Sequence, residues 1–199
     1  MCGIVGYVGQ RRVQEILLAG LEKLEYRGYD SAGVSVLADG DIASVRAVGN
    51  LSKLRAAVLD CNAAVAEPEA GAVATIARPS TCGIGHTRWA THGRVTESNA
   101  HPHFDTSDRV HVVVNGIVEN YIALKRRLAD MGADFTSETD AEVIAHLVSH
   151  HMARGSLVEA VLATYAELEG HYAFVAMSAD EPDTLVGARK DCPLIVGRG

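Results

Sequence analysis

A cysteine occupies the second position of the chain, where removal of Met1 would make it the N-terminal residue. A terminal cysteine combines a thiol nucleophile of free pKa about 8.5 with an α-amine of pKa about 7.7–8.0. Such an amine can act as a general base near neutral pH, so Cys2 would carry a nucleophile and its base on one residue. The alternative is a small buried residue near a chain end, and Cys2 taken alone favours that interpretation.

The segment His86–Gly93 places a guanidinium, two hydroxyls, two imidazoles and the only tryptophan of the chain within eight residues. The guanidinium of Arg88 can hold a carboxylate, such as the α-carboxylate of glutamine, through two parallel hydrogen bonds. One alternative is a metal site, because His86, His92, His101 and His103 are close in sequence. Their spacing matches no common zinc pattern, so we expect no metal here. The other alternative is a solvated structural loop.

Two further polar positions could contribute to chemistry. Asn115 and Gly116 follow the apolar stretch Val110–Val114. An Asn-Gly pair is typical of a hairpin turn, but an asparagine amide beside a glycine N–H can also hold a developing oxyanion. Asp140 precedes a predicted helix, where a helix cap is the simple interpretation. It could instead pair with a substrate ammonium, and both roles would require its two oxygens to be shared.

The bulk properties indicate an ordinary globular domain. A length of 199 residues is enough for one domain or at most two small ones, and 48% hydrophobic with 22% charged residues is ordinary for a globular protein. The net charge of −7 argues against non-specific binding to nucleic acid or anionic membranes. The four cysteines form no CxxC pair, which argues against a redox motif. We find no secretion signal and no apolar run of about 20 residues, so we expect a cytoplasmic protein without a membrane span.

The order of the predicted elements indicates the fold class. Strands occur in runs and helices in pairs, which favours packed β layers flanked by helices over a doubly wound parallel sheet. Asn62–Pro79 is Ala-rich and is interpreted as a loop or an extended helix end, and Thr87–Pro102 as a functional loop. Strands are predicted at Cys2–Val8, Gly33–Ala38, Ile42–Val48, Thr81–His86, Val110–Val114, His171–Ser178, Thr184–Ala188 and Leu194–Val196, with Asp39-Gly40-Asp41 as a hairpin turn. Helices are predicted from Gln10 to near Gly28 and at Leu51–Leu59, Glu119–Met131, Ala141–Met152 and Leu157–Leu168.

Six ordered segments resemble one known family. They are Met1–Gly6, Leu24–Gly33, His86–Gly93, Asn99–His103, Asn115-Gly116 and Ser137–Asp140. Together they resemble the glutaminase domain of the glucosamine-6-phosphate synthase family, which is a class II glutamine amidotransferase domain. The resemblance implies an α+β fold, a four-layer αββα sandwich of the N-terminal-nucleophile hydrolase type. It also implies one domain over residues 1–199, truncated at its C-terminal end, without the sugar isomerase domains of the family.

The resemblance further implies a role for each site residue. Cys2 would attack the glutamine amide while Asn115 and Gly116 hold the oxyanion. The substrate carboxylate would bind Arg88 and its α-ammonium Asp140. The remaining expectations are a pocket completed by Thr91 and His92, an ammonia gate at Trp89, and support of the nucleophile loop by Arg27.

The implied activity is hydrolysis of glutamine by the N-terminal cysteine, without cofactor or metal. The ammonia would reach fructose-6-phosphate through the absent isomerase domains and yield glucosamine-6-phosphate, in a full-length protein that is a homodimer. One alternative is the glutaminase domain of another class II amidotransferase, of the asparagine synthetase or amidophosphoribosyltransferase type. Another is a non-catalytic module that binds glutamine and retains Met1.

Overall fold

The structure, a computed structural model, describes residues 2–64, 79–90 and 93–198. Met1, Thr91, His92 and most of Asn62–Pro79 lie outside these residues, so the loop-or-helix prediction for residues 65–78 lies outside them as well. The described residues form two four-stranded antiparallel sheets and five α-helices. None of these helices is long and apolar enough to cross a membrane.

The first sheet has the strand order β1-β4-β2-β3. Its central strands β4 and β2 are buried along their whole length, because one sheet face packs on helices and the other on the second sheet. The helix α1 ends at Leu24, a 3₁₀ turn covers Glu25–Arg27, and Gly28 follows as predicted. The strands are β1 (Gly3–Val8), β2 (Ser31–Ala38), β3 (Asp41–Val48) and β4 (Cys82–Arg88), and the helices are α1 (Val13–Leu24) and α2 (Leu51–Ala64).

The second sheet has the strand order β5-β6-β7-β8. Its outer face carries three helices, the last of which begins with a capping box in which Ser156 and Glu159 exchange hydrogen bonds. The strands are β5 (His103–Phe104), β6 (Val110–Val118), β7 (Gly170–Ser178) and β8 (Leu185–Lys190). The helices are α3 (Tyr121–Asp130), α4 (Glu142–Met152) and α5 (Leu157–Glu167).

Three apolar clusters separate the layers. One lies between the first sheet and α1 and α2, another between the second sheet and α3, α4 and α5. The third lies between the sheets, where Ile84 and Leu37 of the first sheet meet Val113, Val175 and Met177 of the second. The order of layers is therefore helices, sheet, sheet, helices, which confirms the predicted αββα sandwich.

The structure confirms one predicted turn and corrects two predictions about strands. The hairpin at Asp39-Gly40 is confirmed, with φ of 56° and 87°. The strand end predicted at Val114 is wrong, and Asn115-Gly116 forms no hairpin turn, because β6 continues through both residues to Val118 and stays paired with β7. The strand predicted at Leu194–Val196 is also wrong. Residues 193–198 form no strand, because pairing beyond β8 ends at the Tyr172–Asp191 bridge and no strand of the described residues pairs with this apolar segment.

Candidate active site

Cys2 lies immediately before β1, at the end of the first sheet. Gly3 pairs with Thr87 of β4, which brings Cys2 beside the Arg88-Trp89 end of that strand. The backbone N–H of Trp89 donates to Cys2 Sγ at 3.2 Å, and the carbonyl oxygen of Trp89 lies 3.6 Å from the same sulfur. The ladder between β1 and β4 therefore sets the position of the thiol.

Two adjoining cavities open at this thiol. The larger, about 360 Å³, is lined by Cys2, Arg27, Trp89, Asn115, Gly116, Ile117, Cys192 and Pro193. The smaller, about 30 Å³, shares Cys2, Trp89 and Gly116 and extends to Arg88, His101, Thr139 and Asp140. Together they form a recess of a size suited to a small polar ligand, with a thiol at its centre and charged groups at one end.

Arg88 and Asp140 place opposite charges at the inner end of the recess. Arg88 is only 4% exposed, and its Nη1 donates to the carbonyl oxygen of Arg94 at 3.2 Å. Burial lowers the pKa of the Arg88 guanidinium, against the opposing effect of negative charge at Cys2, Asp30 and Asp140. A buried cation beside a carboxylate suits a zwitterionic ligand such as the α-amino acid group.

Asp140 does not cap α4 as expected. The residue that precedes this helix is Ala141, without a side-chain cap. The Oδ2 atom of Asp140 instead accepts the backbone N–H of Val118, on β6, at 2.7 Å. No described residue hydrogen-bonds Asp140 Oδ1. One carboxylate oxygen therefore binds the backbone of β6, and the other could accept a hydrogen bond from a ligand. The cap prediction was wrong because the loop before α4 folds against β6 rather than along the helix axis.

Several site residues bind the edge of β6 that faces β5. Because β5 is only two residues long, it pairs only with His111 and Val112, and no other strand of the described residues pairs with the rest of this edge. The N–H of Val114 is satisfied by His101 Nδ1 at 3.3 Å and its carbonyl oxygen by His86 Nε2 at 3.0 Å. Alternate residues of a strand direct their peptide groups to the same side, which places the N–H of Gly116 on this edge as well.

Gly116 has a conformation that only glycine adopts easily. Its φ is +116°, and a Cβ at this position would lie 2.0 Å from the carbonyl oxygen of His171. The adjacent Asn115 directs Nδ2 to the backbone carbonyl of Cys2 at 3.3 Å. Asn115 and Gly116 thus line the same cavity as Cys2, where an amide N–H and a backbone N–H could donate to a developing oxyanion.

Three buried histidines beneath the site were considered from sequence only as metal ligands or loop residues. The rings of His86 and His101 stack at 4.1 Å, and those of His101 and His103 meet edge to face at 4.4 Å. Burial lowers the pKa of His86 to about 4 and that of His103 to about 3, and it lowers the pKa of His101 well below 6.5. They are therefore neutral at pH 7. Among the described residues no group of three or more potential ligands forms a metal-binding cluster.

A second network that the sequence did not predict centres on Asn99, which is 1% exposed. Its Nδ2 donates to the carbonyl oxygen of Arg94 at 3.0 Å and to Glu138 Oε2 at 3.1 Å, while its Oδ1 accepts the N–H of Glu138 at 2.8 Å. Asn99 therefore connects the loop that holds Arg88 with the loop that carries Asp140. Its place in the Asn99–His103 segment was the only signal in the sequence.

The remaining predicted residues have mixed positions. Arg27, in the 3₁₀ turn after α1, lines the larger cavity. The Trp89 ring is 43% exposed at the cavity and meets Tyr29 edge to face at 5.4 Å. Thr91 and His92 lie outside the described residues. The structure thus brings together Cys2, Arg27, Arg88, Trp89, Asn115, Gly116 and Asp140.

Comparison with known sequences shows similarity along the whole chain. The model of a family described as the glutamine amidotransferase domain matches residues 86–197. Glutamine–fructose-6-phosphate aminotransferase (isomerizing) of Streptomyces coelicolor is 49% identical over 200 residues, covering 100% of this chain and 30% of that protein. The protein of the same name from Gloeobacter violaceus is 48% identical over 199 residues, with the same two coverages of 100% and 30%. The chain thus spans less than a third of the length of these relatives.

Solved structures show a similar fold. Glutamine phosphoribosylpyrophosphate amidotransferase from B. subtilis has a TM-score of 0.67 at 23% identity, over 90% of this chain and 35% of that one. A structure described as the allosteric regulatory enzyme of purine biosynthesis has a TM-score of 0.68 at 23% identity, over 90% and 36%. At this identity the similarity concerns the fold alone, and it agrees with the sandwich of two sheets flanked by helices.

Proposed function

Because the chain belongs to the glutamine amidotransferase domain family, we propose that it hydrolyses the side-chain amide of glutamine with Cys2 as nucleophile. The observation that carries the proposal is the position of the Cys2 thiol. Its sulfur accepts the backbone N–H of Trp89, the Asn115 amide donates to the backbone carbonyl of the same cysteine, and the recess at the thiol extends to Arg88 and Asp140. An amide carbon placed at the thiol would leave the α-amino and α-carboxylate groups to the two charged residues.

The first step requires a free α-amine on Cys2, and hence removal of Met1. The amine takes the thiol proton, and the sulfur attacks the δ-carbon of the glutamine side chain. The N–H of Trp89, which donates to the sulfur at 3.2 Å, would stabilise the developing thiolate. If Met1 were retained, the nitrogen would belong to an amide and could not act as a base.

The tetrahedral intermediate carries negative charge on the former amide oxygen. Asn115 Nδ2 and the N–H of Gly116 would donate to this oxygen. The protonated α-amine then transfers its proton to the leaving nitrogen, and ammonia departs. The resulting γ-glutamyl thioester is hydrolysed by water to glutamate and free thiol, with the α-amine again acting as the base.

Recognition of the substrate would rest on its α-amino acid group. Arg88 would bind the α-carboxylate, and the second oxygen of Asp140 would bind the α-ammonium. Thr91 and His92 are proposed to complete the pocket, Trp89 to control the passage of ammonia, and Arg27 to support the loop beside the nucleophile. Buried partners of fixed geometry would discriminate against amides that lack the α-amino acid group.

The names of the curated relatives suggest the use of the ammonia. We propose that residues 1–199 of this chain form one glutaminase domain. In the complete protein it would supply ammonia to isomerase domains that convert fructose-6-phosphate to glucosamine-6-phosphate. That protein would be a cytoplasmic homodimer that needs neither a cofactor nor a metal.

The test measures intact mass and glutamine hydrolysis on the same sample. We expect a mass without Met1, release of glutamate, and loss of activity after alkylation by iodoacetamide. Cys2→Ala should abolish activity, whereas Cys61→Ala, on α2 away from the cavities, should retain it. Full activity in Cys2→Ala would reject the proposal, and so would a correctly processed, folded chain that releases no glutamate.

A further inference from the structure

His86 lies at the end of β4, where the first sheet faces the oxyanion residues of the second. It is 1% exposed, and its Nε2 lies 3.0 Å from the carbonyl oxygen of Val114 and 2.9 Å from Asn115 Oδ1. Both partners are oxygens without a hydrogen to donate, so Nε2 must carry the proton. The other ring nitrogen, Nδ1, is buried and has no hydrogen-bond partner among the described residues. A bare Nδ1 is consistent with this tautomer.

This tautomer determines how the Asn115 amide is oriented. With Oδ1 held by the His86 N–H, Nδ2 must face the opposite way, toward the carbonyl oxygen of Cys2 at 3.3 Å. A flipped amide would place Nδ2 against the His86 N–H and Oδ1 against the Cys2 carbonyl. Two donors would then face each other, and so would two acceptors, and both hydrogen bonds would be lost.

The surroundings of His86 keep the ring neutral and fixed. Burial lowers its pKa to about 4, the hydrogen bonds to Asn115 and Val114 oppose this shift, and the charge of Arg88 adds to it. The ring stacks on His101 at 4.1 Å, and His101 in turn accepts the N–H of Val114. Both peptide groups of Val114, the residue before the oxyanion pair, are therefore held by these two imidazoles.

We propose that His86 is a positioning residue for glutamine hydrolysis, which fixes the Asn115 amide with its N–H directed at the reacting carbonyl. This inference rests on the proposed function and extends it beneath the site. His86 does not contact the substrate. It acts through Asn115, so it should affect the chemical step and leave binding of the α-amino acid group, at Arg88 and Asp140, largely unchanged.

The test compares three variants of this chain by kcat and KM for glutamine and by thermal unfolding. His86→Leu removes the N–H, and His86→Gln restores a donor near the Nε2 position. His111→Leu is the matched control, because His111 is equally buried, lies in β6 and is hydrogen-bonded to Ser35 at 2.8 Å, away from both cavities. It should cost similar stability without disturbing Asn115.

We expect kcat of His86→Leu to fall by about 10²-fold, the scale of a lost oxyanion donor, with KM changed by less than about threefold. His86→Gln should recover at least about tenfold of that loss, and His111→Leu should keep kcat within about threefold of wild type. Equal kcat in folded His86→Leu and His111→Leu would overturn the inference. So would a His86→Gln variant that is as inactive as His86→Leu.

A measurement that does not depend on activity separates this inference from the proposed function. Two-dimensional ¹⁵N–¹H spectra of the imidazoles should show His86 protonated at Nε2 at pH 7. An active chain with the proton on Nδ1 would overturn the role of His86 alone. A chain with the expected tautomer but no glutamine hydrolysis would overturn the proposed function, and the positioning role with it.

Discussion

The side-chain amide of Asn115, on β6 of the second sheet, donates to the backbone carbonyl of Cys2, at the start of the first sheet, across 3.3 Å. This bond joins the two sheets beside the Cys2 thiol. The opposite end of the same amide is held by His86 of β4. The proposed nucleophile and the proposed oxyanion donor are therefore aligned by the stacking of the sheets and not by either sheet alone.

Replacement of Asn115 by Asp should remove the donor while keeping the shape of the side chain. We expect kcat for glutamine to fall by about 10²–10³-fold, because one oxyanion donor is lost and a carboxylate is placed near the developing charge. Steady-state kinetics at pH 7.5 would measure this. Unchanged kcat in a folded Asn115→Asp variant would show that the Asn115 amide does not stabilise the tetrahedral intermediate.

Replacement of Gly116 by Ala should destabilise the fold strongly, because the new Cβ would lie 2.0 Å from the His171 carbonyl oxygen at a φ of +116°. Gly132→Ala is the matched control, since Gly132 has a φ of +96° but no atom within 4 Å of the added Cβ. We expect a loss of about 1 kcal/mol in the control, from the positive φ alone, and about 3 kcal/mol or more for Gly116→Ala. Urea unfolding would measure both, and equal losses would refute the close contact.

Replacement of Arg88 by Lys should weaken substrate binding more than catalysis. Lysine keeps the charge but lacks the planar fork that holds a carboxylate through two hydrogen bonds. We expect KM for glutamine to rise about 10–100-fold, with kcat changed much less. Arg46→Lys, a half-buried arginine that contacts Phe104 away from the cavities, is the control and should leave KM unchanged. A drop confined to kcat would contradict carboxylate binding by Arg88.

The three buried histidines should make stability fall in mild acid. The folded-state pKa values of His86, His101 and His103 lie below the unfolded value of 6.5. Below that pH the unfolded chain binds protons that the folded chain does not. The contribution of these histidines to the free energy of unfolding is therefore fully present above about pH 6.5. It is lost as the pH falls toward about 4, at up to about 1.4 kcal/mol per pH unit for each histidine.

Urea unfolding at pH 7.5, 6.5 and 5.5 would measure this slope. In His103→Gln, which keeps a polar group near Thr139 Oγ1 but cannot titrate, the slope below pH 6.5 should be smaller by about one proton. A wild-type stability that stays constant between pH 7.5 and 5.5 would show that these imidazoles can be protonated in the folded state.

Local patterns determined most of the secondary structure. The apolar alternation, the helical spacing and the Asp39-Gly40 turn predicted nearly every helix and strand, because each depends on residues close in the chain. The errors lie where secondary structure depends on pairing with residues that are distant in the sequence. Asn115-Gly116 continues a strand because β7 is there to pair with it, and Leu194–Val196 forms none because no described strand receives it.

The same distinction between local sequence and long-range packing applies to the candidate site. Residue chemistry showed that the Cys2 thiol, the Arg88 guanidinium, the Asn115 amide and the Asp140 carboxylate could do chemistry, because these are properties of single side chains. The family resemblance supplied the role expected of each. The sequence could not show that His86 and His101 hydrogen-bond the backbone of Val114 at the edge of β6. Nor could it show that one carboxylate oxygen of Asp140 accepts the N–H of Val118. Those roles exist only because β5 ends after two residues and leaves peptide groups that must find partners when the sheets stack.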